Sequence, residues 1–254
     1  MTITFLGTGT SQGVPVIACT CEVCTSTDKR DNRLRSSILI ESDGKVIVVD
    51  TGPDFRYQML RAKVMHLDAV VFTHEHKDHI AGLDDIRAFN YKQQAAMSVY
   101  ANEQVQVALK REFYYIFSDF KYPGIPQVNL HTIDKNTPFH IGEVKLTPIE
   151  VLHYKLPVLG FRVKDFTYIT DAKTISDTER EKIKGSKILV INALQRQSHI
   201  SHFTFDEAIA FAQEMGAEHT YFTHISHRLG KHADVSAELP ANIHLAYDGL
   251  QITL

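Results

Sequence analysis

Short apolar runs separated by glycine, proline and small polar residues recur along the whole chain, and their period decides what each run can become. Thr2-Ile3-Thr4-Phe5-Leu6 alternates with period two, which predicts a strand running into the glycine-rich segment Gly7 to Pro15. Ser37 to Glu41 and Lys45 to Val49 flank Asp43-Gly44 and predict a hairpin. Leu67 to Phe72 is apolar and bounded, as a buried strand is. Met97–Tyr100, Asn129–Ile133, Val144–Val151, Leu159–Val163, Phe166–Thr170, Ile188–Asn192, His219–Phe222, Ile243–Leu245 and Leu250–Leu254 predict further strands.

Helical spacing marks Phe55 to Ala62, Ile80 to Tyr91, Glu103 to Phe117, Ser176 to Lys184 and Thr204 to Met215. The last carries its own punctuation. Thr204 and Glu207 form a capping box, in which each side chain satisfies a free backbone N–H of the other, and Gly216 supplies the stop. Strands in two batches, each with helices nearby, predict two sheets face to face with helices outside. At 254 residues the chain can bury a substantial core as one domain spanning residues 1–254.

Composition narrows the function classes. A net charge of −3 gives no basic field for non-specific nucleic-acid binding, which disfavours nucleic acid as a partner. No apolar stretch approaches the roughly 20 residues of a membrane span and no early run has the order of a secretion signal, so a cytoplasmic location is expected. Cys19, Cys21 and Cys24 are clustered and odd in number, which points away from a disulfide framework and toward a metal or a reactive thiol.

The densest chemistry is His74-Glu75-His76-Lys77-Asp78-His79, three imidazoles and a carboxylate between a predicted strand and a predicted helix. Imidazole with carboxylate suits zinc, manganese or iron. His74 and His76 at the strand end can face one side while Asp78 and His79 open the helix, so one loop can serve two metals. His153, Asp171 and His224 each lie where a predicted strand gives way to a loop. Loops at one sheet edge can bring such distant residues to a single site.

The H-x-H-x-D-H pattern resembles the signature of the metallo-β-lactamase superfamily, and the opening strand with Gly7-Thr8-Gly9 resembles that of its phosphodiesterase branch. The resemblance implies a four-layer αββα sandwich of the α/β class. It also implies that His74, His76 and His153 bind one divalent ion, manganese or zinc, that Asp78, His79 and His224 bind a second, and that Asp171 bridges both. Asp50 would brace the metal loop from behind. Such a pair, with ions about 3.5–4 Å apart, makes a nucleophile from water near neutral pH and clamps a phosphoryl group. By the same resemblance His202 assists the leaving oxygen, with His199 the lesser candidate, and Asp78 counts among the catalytic residues.

Cys19-x-Cys21-x-x-Cys24 gains a partner in His227, three residues after His224. Three thiolates and one imidazole make a closed tetrahedral zinc site, structural because no position stays open for water. This cluster resembles the PhnP-like branch, whose extra zinc pins the N-terminal loop. The resemblance therefore implies hydrolysis of a cyclic or small phosphodiester, and a homodimer. RNA 3′ processing of the tRNase Z kind, lactone or thioester hydrolysis, and a non-catalytic metal-binding module remain as alternatives. Arg33 and Arg35 are read either as solvated or as phosphate contacts, and the aromatic segment from Tyr114 to Pro126 as a wall of the substrate site or a dimer face.

Overall fold

A computed structural model describes residues 1–120 and 122–254. Strands β1 (Thr2–Gly7), β2 (Ser37–Ser42), β3 (Lys45–Val49), β4 (Ala69–Val71), β5 (Met97–Ala101), β6 (Val128–Thr132) and β14 (Gln251–Thr253) form one sheet in the order β14-β1-β2-β3-β4-β5-β6. A second sheet contains β7 (Phe139–Ile141), β8 (Val144–His153), β9 (Leu156–Val163), β10 (Phe166–Tyr168), β11 (Ile188–Asn192), β12 (His219–Thr223) and β13 (Ile243–Leu245), in the order β13-β12-β11-β10-β9-β8-β7. Each sheet is antiparallel through its hairpins. Each turns parallel where crossovers intervene, from β3 to β6 in the first and from β10 to β13 in the second.

Alternation along the central strands builds the layers. On β11, Ile188 and Val190 face a core shared with Phe5, Ile38 and Ile47 of the other sheet, while Leu189 and Ile191 face the outside. There they meet α6 (Asp177–Ile183), α7 (Phe205–Met215) and α8 (His232–Glu238) through Ile183, Phe205, Phe211 and Val235. On β4, Ala69 and Val71 point to the shared core, and Val70 points outward to α1 (Phe55–Arg61), α3 (Arg87–Gln93), α4 (Glu103–Glu112) and α5 (Tyr114–Phe117). Strands buried on both faces read as unbroken apolar runs, which is why these segments lack a polar face. The result is the expected αββα sandwich. None of its described helices is long and apolar enough to cross a membrane.

Two expected helices are broken. Ile80 to Tyr91 resolves into α2 (Lys77–Ile80), a 3₁₀ turn at Leu83–Ile86, and α3. The break sits at Gly82, whose N–H donates to the Thr51 carbonyl and where an added Cβ would lie 2.2 Å from the Gly52 oxygen. Two loops thus touch backbone to backbone, as only glycine allows. Glu103 to Phe117 divides at Phe113 (φ −118, ψ 42) into α4 and α5. Helix α7 has the capping box and the left-handed Gly216 that its sequence predicts.

Candidate metal centre

The parallel strands deliver their following loops to one edge of the sandwich. Asp50 follows β3, His74 and His76 follow β4, Asp171 follows β10 and His224 follows β12, while His153 ends β8. Asp50, Asp171 and His224 all take positive φ, at 65°, 54° and 53°. Asp and His tolerate that region better than most side chains, and strained backbone of this kind gathers at functional sites.

All seven predicted ligands come together. The rings of His74, His76 and His153 lie within 6.0 Å of one another by centroid, at 4.6, 6.0 and 5.1 Å. On the other side, the Asp78 carboxylate is 3.2 Å from His79 Nε2 and 3.6 Å from His224 Nε2. Asp171 stands between the two groups, 3.3 Å from His79 Nε2 and 3.2 Å from His224 Nε2, and its carboxylate also groups closely with His74.

These short approaches are not hydrogen bonds. His74 Nε2, His79 Nε2 and His224 Nε2 are buried with no hydrogen-bond partner. Their opposite nitrogens explain the orientation of two of them. His79 Nδ1 donates to Asp50 at 2.7 Å, and His74 Nδ1 donates to the Thr73 hydroxyl, which in turn donates to Asp50. His153 Nδ1 donates to the Ser201 carbonyl at 2.9 Å. Each such bond fixes the tautomer that leaves Nε2 with a lone pair aimed inward. Buried ring nitrogens crowded against carboxylate oxygens with no hydrogen-bond geometry between them fit a cation, and imidazole with carboxylate fits a divalent one.

Electrostatics describe the same pocket. Burial holds the His74 imidazole well below its usual value. For His79 burial acts the same way, but Asp78, Asp171 and Asp50 outweigh it and hold that ring well above. Burial also opposes ionisation of Asp78 and Asp171, yet the surrounding imidazoles keep both carboxyls well below their usual range. His202 stands over the cluster, its Nε2 3.0 Å from Asp171 and its ring stacked 4.9 Å from His224, and burial pushes it down to about 4. His199 contacts His202 Nδ1 at 3.2 Å, one step further out.

A second cluster lies nearby. The sulfurs of Cys19, Cys21 and Cys24 approach His227 Nδ1 at 3.3, 3.4 and 3.4 Å, so four ligand atoms from distant parts of the chain share one point. Backbone N–H groups of Val16 and Cys24 point at the sulfurs of Cys24 and Cys21, and the latter contact is the main reason the Cys21 thiol is drawn down to about 6. Thiols so arranged suit zinc.

The Gly7–Gly9 segment is a structural turn. Gly9 N–H and Thr10 N–H donate to the carbonyls of Leu34 and Ile225, leaving neither free for phosphate, and the pairing with Ile225 fastens the residue after His224. Arg33 is not solvated. It is 4% exposed and donates to Thr8 Oγ1 and the Ala246 carbonyl, while Arg35 pairs with Asp54. In the segment from Tyr114 to Pro126, of which Lys121 lies outside the described residues, no described residue lines the cleft beside the histidines. Its Ile116 and Ile125 pack against the first sheet's outer face instead. Asn192 was not foreseen. Its side chain accepts from Ala172 N–H and donates to Ala172 O, pinning the turn that presents Asp171. Only its place at a strand end hints at this.

A model of the β-lactamase superfamily domain matches residues 45–225. An octanoyltransferase of Porphyromonas gingivalis is 40% identical over 97% of this chain, but the chain spans only 50% of that protein's length. A diphosphatase from the PhnP family superposes with a TM-score of 0.93 at 41% identity, covering 100% of this chain and 97% of that one. Zinc-bound PqqB from Methylobacterium extorquens shares the fold, with a TM-score of 0.81 at 19% identity and full coverage of both chains.

Proposed function

Because this chain belongs to the β-lactamase superfamily and, within it, to the PhnP family, we propose that it is a metal-dependent phosphodiesterase acting on cyclic or small phosphodiesters. One observation carries the reading: the inward Nε2 atoms of His74, His79 and His224 are buried, partnerless and directed at Asp78 and Asp171. In it, His74, His76 and His153 would hold one divalent ion and Asp78, His79 and His224 another, with Asp171 available to both. When bound, such a pair supplies Lewis acidity and a nucleophile derived from water.

The protein's own groups do the rest. Asp50 and Thr73 orient two of the ligand rings. His202 keeps a proton at Nε2 within 3.0 Å of Asp171, where it can stabilise charge developing on a leaving oxygen. Cys19, Cys21, Cys24 and His227 take a structural zinc that ties the N-terminal loop to the segment presenting His224. Reduced thiols in that role suit a cytoplasmic location.

Octanoyl transfer is the activity named for the P. gingivalis protein, of whose length this chain spans 50%. RNA 3′ processing is the lesser reading, because β9 and β10 fill the stretch between His153 and Asp171 and a net charge of −3 gives no basic field for RNA. The test is a panel of a five-membered cyclic phosphate, a linear phosphodiester, a lactone and a thioester, run with metal-stripped protein and after return of manganese or zinc. Metal-dependent turnover of the phosphodiesters is expected. Equal rates after stripping, or turnover confined to the acyl compounds, would contradict the reading.

A further inference from the structure

The rim of the cluster is apolar on one side. An open cleft of about 530 Å³ runs from His76 and His153 across Tyr154 and Leu156 to Ile200. Tyr154 and Ile200 are 51% and 66% exposed, and both stand beside a charged pocket. Single exposed apolar residues mean little, but contiguous ones at a functional rim mark a binding surface.

Tyr154 also occupies a position its backbone disfavours. His153 pairs with Leu156 across the β8–β9 hairpin, so Tyr154 and Lys155 are the two central turn residues, and Tyr154 has φ +58. Hairpins with positive φ at the first central position favour glycine there, and a bulky aromatic in that conformation is an outlier. Strain of this sort is kept where the side chain is needed. Two contacts hold the platform in place: His153 Nδ1 bonds the carbonyl of Ser201, next to Ile200, and the Lys155 ammonium lies 5.4 Å from the centre of the Tyr154 ring.

We propose that Tyr154, with Leu156 and Ile200, is a stacking platform for a planar aromatic group, a nucleobase or a simple aryl ring, esterified to the phosphate held at the metal centre. This rests on reading that centre as a phosphodiesterase site. The shape selects among apolar ligands. A shallow face open to water covers one side of a flat ring, whereas a flexible alkyl chain gains little without an enclosing channel, and the adjoining ammonium favours an electron-rich ring or a second phosphate.

The test is calorimetric binding of methyl phosphate, phenyl phosphate and adenosine 5′-monophosphate to the metal-loaded wild type, Tyr154→Phe and Tyr154→Gly. Glycine relieves the positive φ, so loss of fold cannot account for a change, and melting temperatures of the three proteins check this. The aromatic esters are expected to bind about 5- to 150-fold more tightly than methyl phosphate, the range one stacked base contributes. That preference should persist in Tyr154→Phe and collapse in Tyr154→Gly. Tighter binding of the nucleotide than of phenyl phosphate would assign a nucleoside, and the reverse a simple aryl ester. Equal affinities in the wild type, or a preference that survives Tyr154→Gly, would overturn the platform while leaving the metal centre intact. Failure of every ester to bind would overturn both.

Discussion

Replacing Asp50 with asparagine keeps the size of the side chain and changes what it can offer His79. One carboxylate oxygen accepts from Thr73 N–H at 2.9 Å, and the other accepts from the Thr73 hydroxyl at 2.8 Å and from His79 Nδ1 at 2.7 Å. With its oxygen kept on the backbone N–H, the asparagine turns its NH₂ toward His79 and donates where Asp50 accepts. The ring proton must then sit on Nε2, 3.2 Å from Asp78 and 3.3 Å from Asp171, in the place of the lone pair a cation needs. Losing such an orienting partner weakens metal binding about 10- to 100-fold, which corresponds to about 1.4–2.7 kcal/mol. The assay is competition of each protein with a chromophoric chelator, with melting in excess chelator as a control for folding. Asp50→Asn should melt cooperatively without metal yet bind it at least tenfold more weakly. Unchanged affinity in a folded variant would refute the tautomer argument.

Three other outcomes follow from particular contacts. His202→Ala should lower kcat about 10²- to 10⁴-fold, the usual contribution of one positioned proton donor, with metal content retained. An unaltered rate and pH profile would remove His202 from the reaction. Gly82→Ala forces a methyl to within 2.2 Å of the Gly52 oxygen, so it should cost about 1–3 kcal/mol as overpacking does and lower metal occupancy, both readable by denaturant titration and elemental analysis. His232 lies buried against Arg33 and is pushed by burial from 6.5 down to about 4. A depressed folded-state value favours the neutral ring, so its contribution is full above pH 6.5 and is lost as pH falls toward 4, at most about 3 kcal/mol. Urea titrations between pH 7 and 4 should show that loss, and His232→Gln should flatten it.

Much of this was legible in the chain because the candidate ligands follow strands whose apolar runs are plain. His74 to His79, His153, Asp171 and His224 stand at predicted strand ends, and once the strands assemble in parallel order their loops share one edge. The capping box of α7 is equally local. What could not be read depends on partners far away in sequence. Burial of Arg33 is set by Thr8, Ala246 and His232, and the break at Gly82 by a loop thirty residues earlier in the chain. Helix α8 is short and half polar, with no run to announce it. The Tyr154-Lys155 turn was hidden for a different reason: positive φ is usually signalled by glycine or asparagine, and here the residue is tyrosine.

Metal stoichiometry tests the central claim most directly. Elemental analysis of the purified protein should return three divalent ions per chain, falling to two when Cys21 and Cys24 are replaced by serine, with the remaining pair lost together when Asp171 becomes alanine. A protein that holds no ion outside the cysteine cluster at full folding would contradict the account.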